Sequence, residues 1–469
     1  MKKNIPIVCD LDGTLIKSDL FLESLLIYIK SNFFLIFNLV YQLLFNKLIF
    51  KAFITHQFPV NGKKIPLNQE LLDWLKLKKE SGVDVFLVTG ATKNSYESIK
   101  DRLMKFTAVY TSTNQLNLTG VNKANFLIEK FGKEKFDYIG NSIVDFSIWK
   151  YSRKKLLANN IYLQVFCKKY FNKIFTKPAL YINKLLSFMR IHQWTKNSLI
   201  FLHPIITIKQ LSFNLFVNYC LFFLAFSLLA SSIYVFNDIV DIFDDREHQY
   251  KQKRPLASGF FDLKESITIL LILLTSVVLL SFHLDENLKL IMMVYLLLNI
   301  SYSFFLKKIK LIDVLFLSIF FNLRVLAGVI IDQDSLVSKR FLVFTGLIFL
   351  SLGFLKRFVE LLNSPNRKLS GRGYNCTDKN FMYLLGLLSL LLSFMTLLVS
   401  YPHLLILNQY SYVNFFVLVS LLYFWMAYLW WAGFIKKFHN DPVVFAATDK
   451  RSLLILVAIF ILVIYSKWV

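Results

Sequence analysis

The chain has 469 residues, of which 56% are hydrophobic and 48 are phenylalanine, which is too apolar for one or two water-soluble domains. A formal net charge of +24 accompanies that apolarity. The basic residues border long apolar runs rather than lining one soluble face. The charge is therefore read mainly as positive-inside topology and attraction to anionic headgroups, and no nucleic-acid partner is expected. Cys9, Cys167, Cys220 and Cys376 have no metal-ligand spacing and read as reduced thiols.

Met1 to Lys3 is followed by a strand motif rather than an apolar core, so no cleaved signal peptide is expected. Residues 5–9 form a short apolar run that predicts a buried strand, ending in Asp10-Leu11-Asp12-Gly13-Thr14-Leu15. Two carboxylates two positions apart, just before a glycine turn, can present one as nucleophile and the other as acid/base beside Mg. Residues 85–88 predict a second strand running into Thr89-Gly90, where a hydroxyl and backbone N–H groups can hold a phosphate. Lys123 opens a helix-like stretch and can neutralise that phosphate; residues 138–140 end a further strand before Asn141 and Asp145. The alternation predicts a parallel α/β sheet with its ligands at the strand C-termini.

In that order these residues resemble the four motifs of the haloacid dehalogenase superfamily over residues 1–150. The resemblance implies Asp10 as nucleophile, Asp12 as general acid/base, Thr89 and Lys123 as phosphate holders, and Asp10, Asp12, Asn141 and Asp145 around Mg. The family usually carries an acid where Asn141 stands, which weakens the metal site. Residues 21–58 are unusually apolar, and one crossing there would separate Asp10 from Thr89. They read instead as a helical cap or interfacial helix pair, with Lys30, Asn46, Lys47 and Lys51 toward headgroups. Residues 151–187, rich in Lys and aromatic side chains, read as a basic juxtamembrane linker.

A spanning helix needs about 20 mostly apolar residues. From 188 onward the sequence offers nine such runs, near 188–208, 211–236, 264–283, 288–306, 311–331, 341–362, 380–401, 411–434 and 452–467. The first is the weakest, because Arg190, His192 and Lys196 load its start. Lys and Arg crowd alternate loops, which predicts an inner-membrane protein with a cytosolic N-terminal domain and an external C-terminus. The second run closes in Asn237-Asp238-Ile239-Val240-Asp241-Ile242-Phe243-Asp244-Asp245-Arg246. Each carboxylate costs about 2.5–3.5 kcal/mol at a bilayer centre, so this cluster belongs in a wet mouth. Positions 237, 241 and 244 or 245 share a helical face, and clustered acids suit Mg bridged to a pyrophosphate. Lys251, Lys253 and Arg254 supply a complementary anion clamp.

This stretch resembles the first aspartate motif of the UbiA prenyltransferase superfamily, which implies an all-α polytopic fold of nine helices, with Asn237, Asp238, Asp241 and Asp245 as Mg ligands. Members that prenylate aromatic rings carry a second Asp-x-x-x-Asp motif; here Asp313 is followed by Leu317. Tyr302 with Lys307, Asp313, Arg324 with Gly328, Lys196, Arg254, Lys356-Arg357 and Asp441-Pro442 together resemble the decaprenyl-phosphate phosphoribosyltransferase branch over about 185–455. That branch implies a phosphoribosyl pyrophosphate donor, a polyprenyl phosphate acceptor, and Lys196, Asn237, Arg254, Tyr302, Lys307, Asp313, Arg324, Lys356 and Arg357 as substrate-binding residues. A positive-inside anchor remains the alternative for Lys356 and Arg357, as does a structural role for Arg324. Prenyl transfer to an aromatic or other acceptor and a non-catalytic carrier are the competing functions.

Overall fold

The computed structural model describes residues 5–31, 47–113, 116–175, 181–207, 212–332, 339–363, 373–406, 412–438 and 441–468. The chain forms two compact units, Met1–Arg190 with Tyr234–Ile272, and Ile191–Ile233 with Leu273–Val469.

The first unit is built on a six-stranded parallel sheet of β1 (Ile7–Cys9), β2 (Val85–Thr92), β3 (Ala108–Ser112), β4 (Asp137–Gly140), β5 (Lys155–Ala158) and β6 (Lys173–Phe175), in the order β3-β2-β1-β4-β5-β6. β1 is buried along its whole length, as an unalternating Ile-Val-Cys run must be when both sheet faces are covered. It pairs Cys9 with Leu87 of β2 and with Ile139 of β4. The strand order reverses at β1, and the C-terminal ends flanking such a reversal form a ligand crevice. Asp10 stands there.

Two expectations change. The sheet runs past residue 150, because β5 and β6 join it, so residues 155–175 belong to the domain rather than to a linker. Lysines had masked these strands in the sequence: Lys155 lies over the Tyr170 ring at 3.9 Å and Lys173 over Trp74 at 4.7 Å, using their charge on aromatic faces. The apolar stretch 21–58 forms helices Leu20–Ser31 and Lys47–Gln57, joined by Tyr28, Phe50 and Ile54; residues 32–46, including Asn46, lie outside the described residues. The ammoniums of Lys30 and Lys51 donate to the carbonyls of Val240 and Gly90 at 2.8 and 2.7 Å.

The helical part has seven helices long and apolar enough to cross a membrane among the described residues: Phe213–Val240, Leu263–Ser281, Glu286–Phe304, Ile312–Ile331, Lys339–Asn363, Cys376–Ser400 and Val413–Phe434. Of the nine expected runs, the first instead forms a tight helix at Ile191–Phe201 and a short one at Leu202–Thr207. Its polar side chains turn inward, with Asn197 donating to Ser227 Oγ and Trp194 to Ser231 Oγ, both at 2.9 Å. The last run forms the helix Lys450–Trp468. The core of the second unit gathers Val314, Leu355, Phe358, Val359, Met426 and Trp430.

Candidate functional site

At the β1 reversal, Asp10 caps the turn that follows, accepting the Leu11 N–H at 2.9 Å, and its Oδ1 lies 2.9 Å from Lys123 Nζ. Lys123 is buried and reaches Tyr138 OH at 3.3 Å. Burial raises the Asp10 carboxyl above its ordinary pKa against the pull of Lys123. Burial, reinforced by the Asp19 carboxylate, pushes Asp12 up to about 7. Thr89 is buried on β2, its hydroxyl accepting the Ala91 N–H at 3.0 Å. Gly13 adopts φ +71°, and a Cβ there would fall 2.0 Å from Asn141 Nδ2, so the turn and the Asn141 side chain are mutually fitted.

The fold thus brings together Asp10, Asp12, Lys123, Asn141 and Asp145, but the donors are largely engaged. Asp145 Oδ2 accepts from Asn141 N, Ser142 N and Ser142 Oγ, and its Oδ1 from Tyr138 OH, all at 2.9–3.1 Å. Asn141 Oδ1 accepts from Thr14 Oγ1 at 3.3 Å and contributes no charge. With Asp10 Oδ1 on Lys123, these residues do not make a good donor set for a divalent cation, which needs several free oxygens.

The acidic motif behaves differently. The helix Phe213–Val240 ends at Asp241, and a six-residue helix, Ile242–Glu247, follows. Backbone bonds of 2.8 Å from Asp241 N to Asn237 O and from Asp245 N to Asp241 O continue the helical spacing across the break, which keeps positions 237, 241 and 245 in register. Asp238 and Asp245 are both buried. Asp238 Oδ1 meets Arg190 at 2.5 Å and Arg254 at 3.1 Å, while Arg254 also reaches Asp245 Oδ2 at 2.6 Å. Asp245 Oδ1 is buried without a hydrogen-bond partner, 3.8 Å from Lys251. The Asn237 amide and the half-buried Asp241 carboxylate make no side-chain bond among the described residues. No three His, Cys, Asp or Glu side chains converge on a cation among the described residues, but the partnerless Asp245 oxygen, the Asp241 carboxylate and the Asn237 amide are oxygen donors of the kind Mg prefers.

In the second unit, Lys196 and Lys356 converge on Asp441 Oδ2 at 2.5 and 3.4 Å. Burial alone would raise Asp441, but Lys356 and Lys196 hold it well below the usual carboxylate range. Arg357 is fully buried, donating to Asp313 Oδ2 at 2.5 Å and Glu360 Oε2 at 2.6 Å, and its Nη2 has no partner. Tyr374 OH donates to the other Asp313 oxygen. Asp313 is therefore the closed end of a buried network rather than half of a second acidic motif. Tyr302 stacks on Phe316, and Lys307 makes no ion pair among the described residues.

Arg324, expected as a donor clamp, is met by protein partners. Its Nε donates to Asn197 Oδ1 at 2.7 Å, Nη2 to Tyr295 OH at 3.1 Å and Nη1 to the Phe320 carbonyl, and its guanidinium lies 5.1–5.7 Å from the Phe226, Tyr295 and Phe321 rings. These bonds tie the helix Ile312–Ile331 to Asn197 and to Tyr295 on the helix Glu286–Phe304. Sequence reasoning missed Arg190, Glu23 and Tyr374 as partners of the motif residues, because each lies tens of residues away in the chain. It also missed Asn159, whose amide donates to the Gly13 and Thr14 carbonyls at 2.9 and 2.8 Å and braces the Asp10 loop.

Residues 199–361 match the UbiA prenyltransferase family. Over 470 aligned residues, 96% of this chain and 89% of the relative, the chain is 30% identical to the uncharacterized protein y4nM of Sinorhizobium fredii. It is 30% identical over 190 residues to the decaprenyl-phosphate phosphoribosyltransferase of Mycobacterium tuberculosis, covering 39% of this chain and 62% of that protein. It is 31% identical over 201 residues to the nodulation protein NoeC of Azorhizobium caulinodans, covering 42% of this chain and 64% of that one. The chain thus spans less than two thirds of the length of the latter two relatives.

Proposed function

We propose that the chain, whose residues 199–361 match the UbiA prenyltransferase family and which shares nearly its whole length with the Sinorhizobium protein, is a multi-pass membrane transferase moving 5-phosphoribose from phosphoribosyl pyrophosphate to a polyprenyl phosphate. The observation that carries this reading is the likeness to a phosphoribosyltransferase, joined to an acidic motif with a free Asp241 and an orphaned Asp245 oxygen. Asp313, fully engaged by Arg357 and Tyr374, leaves no second acid pair of the kind that ring prenylation uses. In the reaction an oxygen of the lipid phosphate bonds to ribose C1 as the C1–O bond to pyrophosphate breaks, and the electron pair leaves with pyrophosphate. Asn237, Asp241 and Asp245 would hold Mg, which would supply positive charge beside that leaving group. Arg254 holds Asp238 and Asp245 in place, and the acceptor, already an anion, needs no strong base. Lys196 and Lys356, converging on one Asp441 oxygen, are arranged as phosphate holders.

A labelled donor tests this with the full chain in detergent, polyprenyl phosphate and Mg. Label should enter the lipid phase with one pyrophosphate released per transfer. Prenyl transfer to an aromatic acceptor by the same preparation, with no labelled lipid, would favour the ring-prenylating reading.

For the sheet domain we infer a phosphomonoesterase that removes the 5-phosphate of the lipid-linked product. Supporting it are Lys123 beside Asp10 and the near-neutral Asp12. Asp10 attacks phosphorus, Lys123 balances the charge, and Asp12 protonates the departing sugar oxygen, then takes a proton from the water that hydrolyses the aspartyl phosphate. No step is assigned to a metal, because Asn141 and Asp145 do not offer free charged oxygens. Product analysis decides: wild type should release inorganic phosphate from lipid-linked phosphoribose, and Asp10→Asn should not. Phosphate release by neither protein would remove this activity.

A further inference from the structure

The acidic motif sits in the same compact unit as the sheet domain, and besides Arg190, Arg254 and Lys251 it is held by side chains of the sheet domain itself. Glu23, on the helix Leu20–Ser31, and Arg246, next in sequence to Asp245, form a two-pronged ion pair of 2.9 and 2.7 Å with side chains 0% and 4% exposed. Ser18 also donates to Glu23, and its carbonyl accepts the Gly13 N–H at 3.0 Å. The Leu20 N–H in turn reaches Asp12 Oδ1 at 3.1 Å. The Asp10–Asp12 turn and the Glu23 helix are therefore one hydrogen-bonded piece, and Arg246 is fastened to it.

The six-residue helix Ile242–Glu247 is too short to hold its own conformation. Its geometry is decided by what it is tied to. Besides Glu23, these ties are Arg254 on Asp245 at 2.6 Å, Lys30 Nζ on the Val240 carbonyl just before the helix at 2.8 Å, and Phe243 packed against the sheet-domain core. Among the described residues the Glu23–Arg246 pair is buried on both sides, whereas Arg254 is 30% exposed in its pair with Asp245, and Glu23 acts on the residue adjoining the orphaned Asp245 oxygen.

We propose that Glu23 is a positioning residue for the acidic motif: through Arg246 it holds the Asp241–Asp245 turn in cation-binding geometry, so the sheet domain is a working part of the transferase. This rests on the reading of the motif as a divalent-cation site. It adds a dependence that the family match, confined to residues 199–361, does not contain.

Paramagnetic Mn2+ tests it without any substrate. The full chain in detergent is titrated with Mn2+ and bound metal is followed by electron paramagnetic resonance, counting the binding that Asp241→Asn abolishes. Glu23→Gln, with the fold verified by thermal denaturation, should weaken that binding roughly tenfold to a hundredfold, as loss of an outer-shell partner does. The exchanged pair Glu23→Arg with Arg246→Glu should recover it in large part. Where Glu23→Gln fails to fold, Arg246→Lys keeps the charge, loses the fork and should weaken binding about threefold or more. Wild-type Mn2+ affinity in a folded Glu23→Gln or Arg246→Lys protein overturns the proposal. Glu23-dependent Mn2+ binding in a protein that transfers no phosphoribose would leave this inference standing and reject the proposed reaction instead.

Discussion

Replacing Asp238 or Asp241 by asparagine should separate two roles that the motif's spacing presents as equivalent. Asp238 is 3% exposed and accepts from Arg190 at 2.5 Å and Arg254 at 3.1 Å, whereas the Asp241 carboxylate has no partner among the described residues. Breaking a fully buried pair costs about 3–5 kcal/mol, but Arg190 and Arg254 are 23% and 30% exposed and can rehydrate, so Asp238→Asn should cost roughly 2–3 kcal/mol. For a unit of this size that corresponds to a fall in Tm of roughly 5–10 °C. Asp241→Asn should leave Tm within about 1 °C, since nothing bonded is removed. Its cost falls on transfer, where losing one cation ligand worth roughly 3–4 kcal/mol in the transition state lowers the rate about 10²–10³-fold. Tm of the purified variants and labelled-lipid formation at saturating Mg measure both quantities. Equal Tm values for the two variants, or near-normal transfer by Asp241→Asn, would refute the division of roles.

Arg324→Leu should lower stability by about 3 kcal/mol, through loss of its buried bonds to Asn197, Tyr295 and the Phe320 carbonyl, while the donor KM of the protein that remains folded stays unchanged; a rise in KM at unchanged Tm would place Arg324 in the donor site. Asn141→Asp should increase phosphate release by the sheet domain and make it responsive to Mg, because it adds a carboxylate without changing side-chain shape; an unchanged Mg response would show that the missing acid is not what limits the site. Asp12 sets a pH limit on the same activity. Its folded pKa, about 7, lies above its ordinary value, so the protonated form that serves the leaving group is present below pH 7 and is lost as pH rises through it. Phosphoaspartate formation should therefore fall about tenfold per unit above pH 8, and a flat profile from pH 6 to 9 would exclude Asp12 as the acid. The same raised pKa makes Asp12's contribution to stability greatest at low pH and smaller as pH rises through 7, so Asp12→Asn should gain Tm relative to wild type at pH 8 and not at pH 4.

Much of the architecture was legible because its signals are local. The apolar run before Asp10 and the Asp-x-Asp-Gly turn place that carboxylate at a strand end, and the seven long apolar helices fall within a few residues of the runs that predict them. Misreadings arose where a side chain's partner lies far away in sequence. Lys155 and Lys173 looked like headgroup anchors until their aromatic partners were in place, and the strands beneath them went unseen. A charge inside an apolar helix such as Arg324 demands partners, and the sequence could not show that Asn197, Tyr295 and the Phe320 carbonyl are among them.

By itself the sequence determined which segments seek lipid, where an apolar strand ends in a carboxylate, and which acids share one helical face. These properties follow from hydrophobic runs and from the 2- and 3.6-residue periods of the backbone. Only the tertiary structure decided which charges are available. Asp238, Asp241 and Asp245 are one motif in the chain, yet among the described residues Arg190 and Arg254 occupy the first, no side chain bonds the second, and the third keeps one buried oxygen without a hydrogen bond. The strength of a buried charge depends on the few ångströms around it, and those neighbours, Arg190 at one remove and Glu23 through Arg246 at another, are brought together by folding rather than by spacing.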